Sequence, residues 1–305
     1  MKTLVVGTVA FDAIETPYLK TEKTVGGAAT YICLSASANT QNLKLVSVVG
    51  GDFPTTTIKM LKEKNICLEG LQIKKGEKTF FWSGKYHQNM NHRDTLDTQL
   101  NVLENFNPVL PDSYKDSDIV MLGNLIPTVQ KKVINQMTKK PKLIVLDTMN
   151  FWMDNFMTEL KEVLKDVDVI TINDEEAQQL SGNNDLIEAA KKIKEMGPKY
   201  IIIKRGAEGA VLIHKEKQFF VPAIKLQKVV DPTGAGDTFA GGFIGFLQKN
   251  KELSFENMKK AVIHATVMAS FCVEELGIKG VQNIDEKRVI KRTRQLEKTV
   301  DSVFV

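Results

Sequence analysis

Residues 231–243 read Asp231-Pro232-Thr233-Gly234-Ala235-Gly236-Asp237-Thr238-Phe239-Ala240-Gly241-Gly242-Phe243, a Gly-Ala-Gly turn followed by a carboxylate and a run of small, apolar, helix-like residues. Glycines let backbone N–H groups converge on one point, and a helix N-terminus adds partial positive charge, so the turn suits a phosphate. A carboxylate repels phosphate. Asp237 therefore makes sense there if it accepts a proton while the turn stabilises a transferred phosphoryl group.

The same residues also permit a simpler interpretation, in which a loop enters a helix and Asp237 is a first-turn residue that favours the helix dipole. Two other phosphate motifs are excluded. A Walker loop requires Gly-x-x-x-x-Gly-Lys-Ser/Thr, and Gly84-Lys85 lacks both the upstream glycine and the following hydroxyl. A dinucleotide-binding fingerprint is disfavoured because Phe239 stands at the position of its third glycine.

Composition limits the class of protein. The 305 residues are 43% hydrophobic and 26% charged, as expected for a globular domain, and the net charge of +4 is spread along the chain without a basic tail for nucleic acid. Three cysteines without a Cys-x-x-Cys pair indicate a reducing compartment, and four scattered histidines disfavour a zinc site. No signal peptide or membrane-spanning segment is evident, so we expect a cytoplasmic protein.

Short apolar runs alternate with amphipathic stretches through most of the chain. Buried strands are predicted at 3–9, 43–49, 119–122, 143–146, 167–171 and 200–204, and helices at 28–38, 54–64, 128–137, 154–164, 174–180, 185–196, 235–249, 255–273 and 285–298. This alternation predicts an α/β three-layer sandwich with a mostly parallel central sheet. Ligands bind such sheets outside the carboxyl ends of the strands, where Asp147, Asn173 and Lys204 fall.

Two segments interrupt this pattern, at approximately 11–25 and 78–97. Their β-forming and aromatic residues predict a small antiparallel flap, or lid, within a single domain that spans 1–305. Trp82 and Tyr86 would face a substrate or a partner subunit, or would only pack the lid onto the body. Whether two lids pair in a homodimer stays open at this point.

The chain resembles the ribokinase-like (PfkB) family of carbohydrate and nucleoside kinases. Asp231 to Ile244 is similar to the C-terminal signature of that family, and Gly26-Gly27 before a small-residue helix resembles the N-terminal one. Asn173 to Glu176 looks like the family's Asn-x-x-Glu element, and Lys204 to Gly209 resembles its nucleotide-side turn. These elements occur in the family's order and span nearly the whole chain, so the resemblance implies the ribokinase-like fold.

The resemblance also implies roles for individual residues. Asp237 would be the catalytic base of a catalytic turn that begins at Gly234, and the backbone N–H groups of Ala235, Gly236 and Asp237 would stabilise the phosphoryl group. The donor would be ATP with Mg²⁺, bordered by Asn173, Glu176, Lys204, Gly206, Gly209 and Thr233. Glu176 would hold magnesium through water, although Asn173 and Glu176 also fit a helix capping box that needs no ligand. A monovalent cation such as K⁺ binds beside the anion hole in some relatives, where Asp231 and Thr233 would take part.

On the acceptor side, the resemblance implies Asp12, Gly26 and Gly27 as substrate-binding residues, with Tyr31 in place of the family's usual asparagine. Asn124, which follows Gly123 at a strand end, is a candidate for the same pocket. We expect a small-molecule acceptor and transfer to the primary hydroxyl of a sugar or a sugar-like compound. The alternative is the 5′-hydroxyl of a ribonucleoside, whose base would stack on Tyr31, Phe81 or Trp82. A non-catalytic nucleotide- or sugar-binding regulator is a third hypothesis, which the intact glycines and Asp237 disfavour.

Overall fold

The computed structural model describes residues 1–303. Nine strands form the main sheet: β1 (Thr3–Val6), β4 (Leu43–Gly50), β5 (Ile66–Lys74), β8 (Ile119–Leu122), β9 (Leu143–Asp147), β10 (Val169–Asn173), β11 (Tyr200–Lys204), β12 (Ala210–His214) and β13 (Lys217–Val221). Their order across the sheet is β13-β12-β11-β10-β9-β8-β1-β4-β5, and every pair from β11 to β5 is parallel. β12 and β13 add an antiparallel edge. The expected mostly parallel sheet is confirmed.

Helices cover both faces of this sheet: α1 (Ala28–Ser37), α2 (Thr55–Glu63), α3 (Pro127–Asn135), α4 (Asn150–Asn155), α5 (Met157–Leu164), α6 (Asp174–Ser181), α7 (Leu186–Glu195), α8 (Ala235–Asn250), α9 (Phe255–Cys272), α10 (Lys279–Gln282) and α11 (Glu286–Val303). Two buried apolar clusters lie on the two faces, one with α1, α8 and α9 and the other with α3, α5, α6 and α7. Within residues 1–303, no helix has the length and apolar character needed to cross a bilayer.

The small residues of α8 explain how this helix reaches the sheet. A Cβ added to Gly241 would lie 2.3 Å from the carbonyl oxygen of Ile32 in α1, and one added to Gly245 would lie 3.0 Å from the Cα of Ala36. Larger residues would push the two helices apart. Close packing of α8 on α1 therefore holds the first turn of α8 beside the entry to α1, which brings residues 231–237 next to Gly26-Gly27.

A second, four-stranded sheet forms the lid. Its order is β3 (Thr24–Gly26), β2 (Ala10–Glu15), β6 (Phe81–Tyr86) and β7 (Arg93–Gln99). The β2–β3 and β6–β7 pairs are antiparallel, whereas β2 and β6 run parallel. Every residue of the edge strand β7 is exposed, and a homodimer through the lid stays a prediction.

The sequence pattern did not predict β5, β12 or β13. β5 alternates buried and exposed residues at the sheet edge, and its polar residues Glu69 and Gln72 hide the apolar signal of a buried strand. β12 and β13 form a hairpin turned at Lys215, a non-glycine residue in the left-handed region at φ 53°. No Asn-Gly or Asp-Gly turn marks that hairpin in the sequence.

Candidate active site

The Gly-Ala-Gly turn forms the N-terminus of α8. Gly234 adopts φ 76°, which favours glycine, and the Ala235 N–H donates to the carbonyl of Pro232 at 3.1 Å. Gly236 and Asp237 are the second and third residues of the helix, so their N–H groups have no acceptor within it. These two amides are available to an anion, whereas the predicted third donor, Ala235, already has a partner.

Asp237 is the charged residue of that first turn. Burial raises its pKa to about 7, and the neighbouring carboxylates of Asp147 and Asp12 add to the rise. The cations of Lys204 and Arg93 oppose it. A carboxyl group with a pKa close to the working pH is well suited to accept a proton from a substrate hydroxyl.

Three adjacent strand ends meet beside this turn. In the parallel register, Asp147 of β9 pairs with Thr171 of β10, and Asn173 of β10 pairs with Lys204 of β11. The Nζ of Lys204 contacts both carboxylate oxygens of Asp147, at 3.1 and 3.3 Å, and little of either side chain is exposed. Burial acts to lower the pKa of Lys204, but the carboxylates around it raise it overall, Asp147 first and then Glu176 and Asp237. The sequence marked Asp147 only as the end of a strand.

Asn173 and Glu176 form a complete capping box at the start of α6. The Asn173 Oδ1 accepts from the Glu176 N–H at 2.7 Å, and the Glu176 Oε2 accepts from the Asn173 N–H at 2.8 Å. The helix capping box that the sequence allowed at this motif is therefore present. Burial also raises the pKa of Glu176 to about 7, an effect that Lys204 opposes and Asp147 strengthens. Its second carboxylate oxygen, Oε1, is not used by the cap.

The nucleotide-side turn follows β11. Gly206 and Gly209 adopt φ 50° and 116°, in the left-handed region that glycine favours. A Cβ on Gly209 would lie 2.0 Å from the carbonyl oxygen of Val221, so the β12–β13 hairpin itself requires this glycine. A Cβ on Gly206 would lie 2.6 Å from Oδ1 of Asn91 in the lid. The lid thus reaches the turn at Gly206.

Asp12 and the glycine pair form a compact corner between β2 and β3. A Cβ on Gly26 would lie 1.8 Å from the Asp12 Oδ2, and this same oxygen accepts from the Gly27 N–H at 3.4 Å. Gly27 adopts φ 90°. Burial raises the pKa of Asp12 to about 7; the Gly27 amide lowers it and the charge of Asp231 raises it further. The corner holds a buried carboxyl group whose charge acts on Asp237.

Tyr31 and Asn124 differ from what the sequence led us to expect. Tyr31 is only 1% exposed and its ring lies against Gly234, so it has no free face on which a base would stack. Its hydroxyl is buried and has no hydrogen-bond partner among the residues that the structure describes. The amide of Asn124 is committed to α4, since Nδ2 donates to the Met149 sulfur at 3.0 Å and Oδ1 accepts from the Trp152 indole at 2.5 Å.

Asp231 and Thr233 stabilise the loop before the turn. The two carboxylate oxygens of Asp231 accept from the N–H groups of Thr233 and Gly277, both at 2.9 Å, and the residue is 1% exposed. The Thr233 hydroxyl donates to the hydroxyl of Tyr86 at 3.1 Å. Tyr86 belongs to the lid strand β6, so this hydrogen bond ties the lid to the loop of the anion site.

The lid also supplies a cation that the sequence did not reveal. Arg93 pairs with Tyr86 across β6 and β7, and its guanidinium lies 5.8 Å from the centre of the Trp82 ring. Although Arg93 is an exposed residue, partial loss of hydration acts to lower its pKa, and Tyr86 and the carboxylates of Glu176 and Asp237 raise it overall. At the tip of the lid, His92 Nδ1 lies 2.6 Å from a carboxylate oxygen of Glu175. The lid therefore contacts α6 as well as the turn at Gly206.

Comparison with known proteins identifies the family of this chain. The family model described as pfkB family carbohydrate kinase matches residues 2–283. The chain belongs to this family. It is 27% identical to the cytidine kinase of Thermococcus kodakarensis over 257 residues, which cover 82% of this chain and 90% of that one. The family comprises phosphotransferases, and named kinases for sugars and nucleosides are among the relatives of this member.

Solved structures confirm the fold. The nucleoside kinase of Methanocaldococcus jannaschii superposes with a TM-score of 0.77 at 22% identity, covering 97% of this chain and 99% of that one. The ribokinase of Arabidopsis thaliana, solved with ribose and ATP, superposes with a TM-score of 0.75 at 19% identity, covering 96% and 98%. This PfkB-family member is therefore a sugar or nucleoside kinase with the ribokinase fold.

Proposed function

We propose that this protein transfers the γ-phosphoryl group of ATP to a primary hydroxyl group of a sugar or a nucleoside, with Asp237 as the base. The observation that carries the proposal is the position of Asp237. Its carboxyl group lies in the first turn of α8, directly beside backbone amides suited to bind phosphate, and has a pKa near 7. The proposed proton acceptor and the proposed anion site thus lie in the same turn of the helix.

The reaction follows from this arrangement. Asp237 takes the proton of the acceptor hydroxyl, and the oxygen forms a bond to the γ-phosphorus as the bond to the β–γ bridging oxygen breaks. ADP leaves with the electron pair of that bond. The N–H groups of Gly236 and Asp237 stabilise the charge on the transferred group, and the proton passes from Asp237 to solvent after product release.

Magnesium fits the residues at the nucleotide side. Glu176 is buried, and its Oε1 provides a hard oxygen donor that the capping box leaves unused. Within residues 1–303, no group of three or more His, Cys, Asp or Glu residues forms a metal site by itself. Magnesium would therefore be held by Glu176, through water, together with the triphosphate, and would neutralise part of the charge on that triphosphate.

The corner of Asp12, Gly26 and Gly27 would bind the acceptor. A buried carboxyl group strongly favours a substrate whose hydroxyl groups donate hydrogen bonds to it. An analogue without those hydroxyls would leave the carboxyl group without a hydrogen-bond partner. Both sugars and ribonucleosides present such hydroxyls. The ribonucleoside alternative gains support from the cytidine kinase and the nucleoside kinase, each of which aligns over more than four fifths of this chain. With Tyr31 buried, a base would have to contact Phe81 or Trp82 in the lid.

Two experiments test the proposal. A panel of sugars and ribonucleosides assayed for ADP release identifies the acceptor class. If neither class supports ADP release, the proposed activity is refuted. With the best acceptor, Asp237→Asn should lower kcat by at least about 10²–10⁴-fold while ATP affinity stays similar. A variant that retains most of its phosphoryl transfer would show that Asp237 is not the base.

A further inference from the structure

The pair of Lys204 and Asp147 has no role in the mechanism above. Asp147 and Lys204 lie at the carboxyl ends of β9 and β11, the two strands that flank β10, with side-chain exposures of 7% and 16%. A buried ion pair is costly to desolvate and contributes little to stability compared with apolar residues of the same size. Its position beside the site therefore calls for a chemical explanation.

The ammonium of Lys204 directly adjoins the anion site. A Cβ added to Gly236 would lie 3.0 Å from Lys204 Nζ, which places this cation next to one of the two available amides. A lysine ammonium has three N–H donors. The Nζ is within reach of both oxygens of this one carboxylate, so at most two of its donors serve Asp147 and at least one remains for another acceptor.

We propose that Lys204 is a catalytic residue that donates a hydrogen bond to the γ-phosphoryl group during transfer, and that Asp147 is a positioning residue that holds the ammonium in place. This inference rests on the proposed kinase activity and deepens it. Lysine has the right chemistry because charge develops on the phosphoryl oxygens in flight, and a fixed cation stabilises it without reorganisation. Asp147 fixes the direction of the long, flexible side chain.

The first test needs no acceptor. We would measure the dissociation constants of ADP and of a non-hydrolysable ATP analogue with a methylene β–γ bridge, both with magnesium. A charge-assisted hydrogen bond contributes about 1.5–3 kcal/mol, so Lys204→Met should reduce the preference for the analogue over ADP by about 10–100-fold. Lys204→Arg should recover part of it. An unchanged preference in Lys204→Met would overturn the role of Lys204.

The role of Asp147 is tested by the sign of an effect. If Asp147 only repels phosphate, Asp147→Ala tightens binding of the analogue whether or not Lys204 is present. If Asp147 positions Lys204, Asp147→Ala weakens the preference for the analogue in the wild-type background, and this loss disappears in the Lys204→Met background. Asp147→Asn, which keeps one acceptor oxygen, should lie between wild type and alanine. Equal tightening in both backgrounds would refute positioning.

Two safeguards keep the outcomes distinct. Lys204→Met leaves Asp147 buried without its partner and can fail to fold, so the uncharged double variant Lys204→Met/Asp147→Asn is measured beside it, with melting temperatures for all proteins. In an assay with an acceptor that the wild type phosphorylates, Lys204→Met should also lower kcat by about 10²–10³-fold. If the wild type neither binds the analogue nor forms ADP, the kinase proposal itself fails. If it does both and Lys204→Met matches it, only this inference fails.

Discussion

Replacing Asp12 by asparagine should stabilise the protein while it damages acceptor binding. Asp12 is 5% exposed, and burial raises its pKa from 3.8 to about 7. Between these values the folded protein binds more protons than the unfolded chain, so the ionisable side chain lowers stability as pH rises from about 4 to about 7. The amide has no such penalty, because it carries no charge to desolvate.

The magnitude follows from the shift. At 1.36 kcal/mol for each pKa unit, the penalty is about 2 kcal/mol at pH 5 and about 4 kcal/mol at pH 8. Asp12→Asn should therefore gain about 2–3 kcal/mol over the wild type between these two pH values. For a chain of this size, that gain corresponds to roughly 5 °C in melting temperature.

The assay is thermal melting of the wild type and the variant at pH 5 and pH 8, without nucleotide or acceptor. Asp301→Asn, at an exposed position of α11, is the matched control and should show no comparable gain with pH. In the kinase assay, Asp12→Asn should raise the KM of the acceptor. If the melting temperatures of wild type and Asp12→Asn differ by the same amount at both pH values, burial of this carboxyl group does not destabilise the fold.

Three further predictions concern the corner, the metal and the lid. Gly26→Ala would place a Cβ 1.8 Å from the Asp12 Oδ2, so it should lower the free energy of unfolding by about 1–3 kcal/mol and raise the acceptor KM. Gly51→Ala is the control and should do neither, because the nearest atom to its Cβ lies at 3.4 Å. Glu176→Gln keeps an acceptor for the capping box but loses its charge, so activity should require more magnesium; an unchanged magnesium titration would leave Glu176 as a cap alone. Tyr86→Phe removes the hydrogen bond between lid and Thr233, about 1 kcal/mol, and should raise the acceptor KM several-fold; a KM equal to that of the wild type would show that this bond does not hold the lid over the acceptor.

The elements that the sequence predicted correctly are those whose local pattern and final burial agree. Tyr200–Lys204 and Ile119–Leu122 are short apolar runs that become strands buried in the parallel sheet. The edge strand Ile66–Lys74 has one face open to solvent, so its pattern resembles that of a polar segment. Its strand conformation comes from pairing with β4, a tertiary interaction that the local sequence does not encode.

In the site, too, the sequence identified residues of a local motif and missed those brought together by tertiary contacts. The sequence identified Asp237 and the glycines because one contiguous motif contains both the proposed base and the proposed anion site. Arg93 was missed because it lies in an exposed, polar lid strand and reaches the site only through its pairing with Tyr86. The ion pair of Lys204 and Asp147 joins residues 57 positions apart in the chain, and it exists because β9, β10 and β11 end at the same edge of the sheet.

The balance of charge supports the proposal that a divalent cation accompanies the nucleotide. The carboxyl groups of Asp12, Glu176 and Asp237 all have a pKa near 7, chiefly because they are buried, and Asp147 lies among them. The ammonium of Lys204 and the guanidinium of Arg93 oppose this charge only in part. A triphosphate entering such a site adds further negative charge close to Asp237. In the proposed mechanism Lys204 offsets that charge at the transferred group alone, and we expect a metal ion that arrives with the nucleotide to carry the remainder.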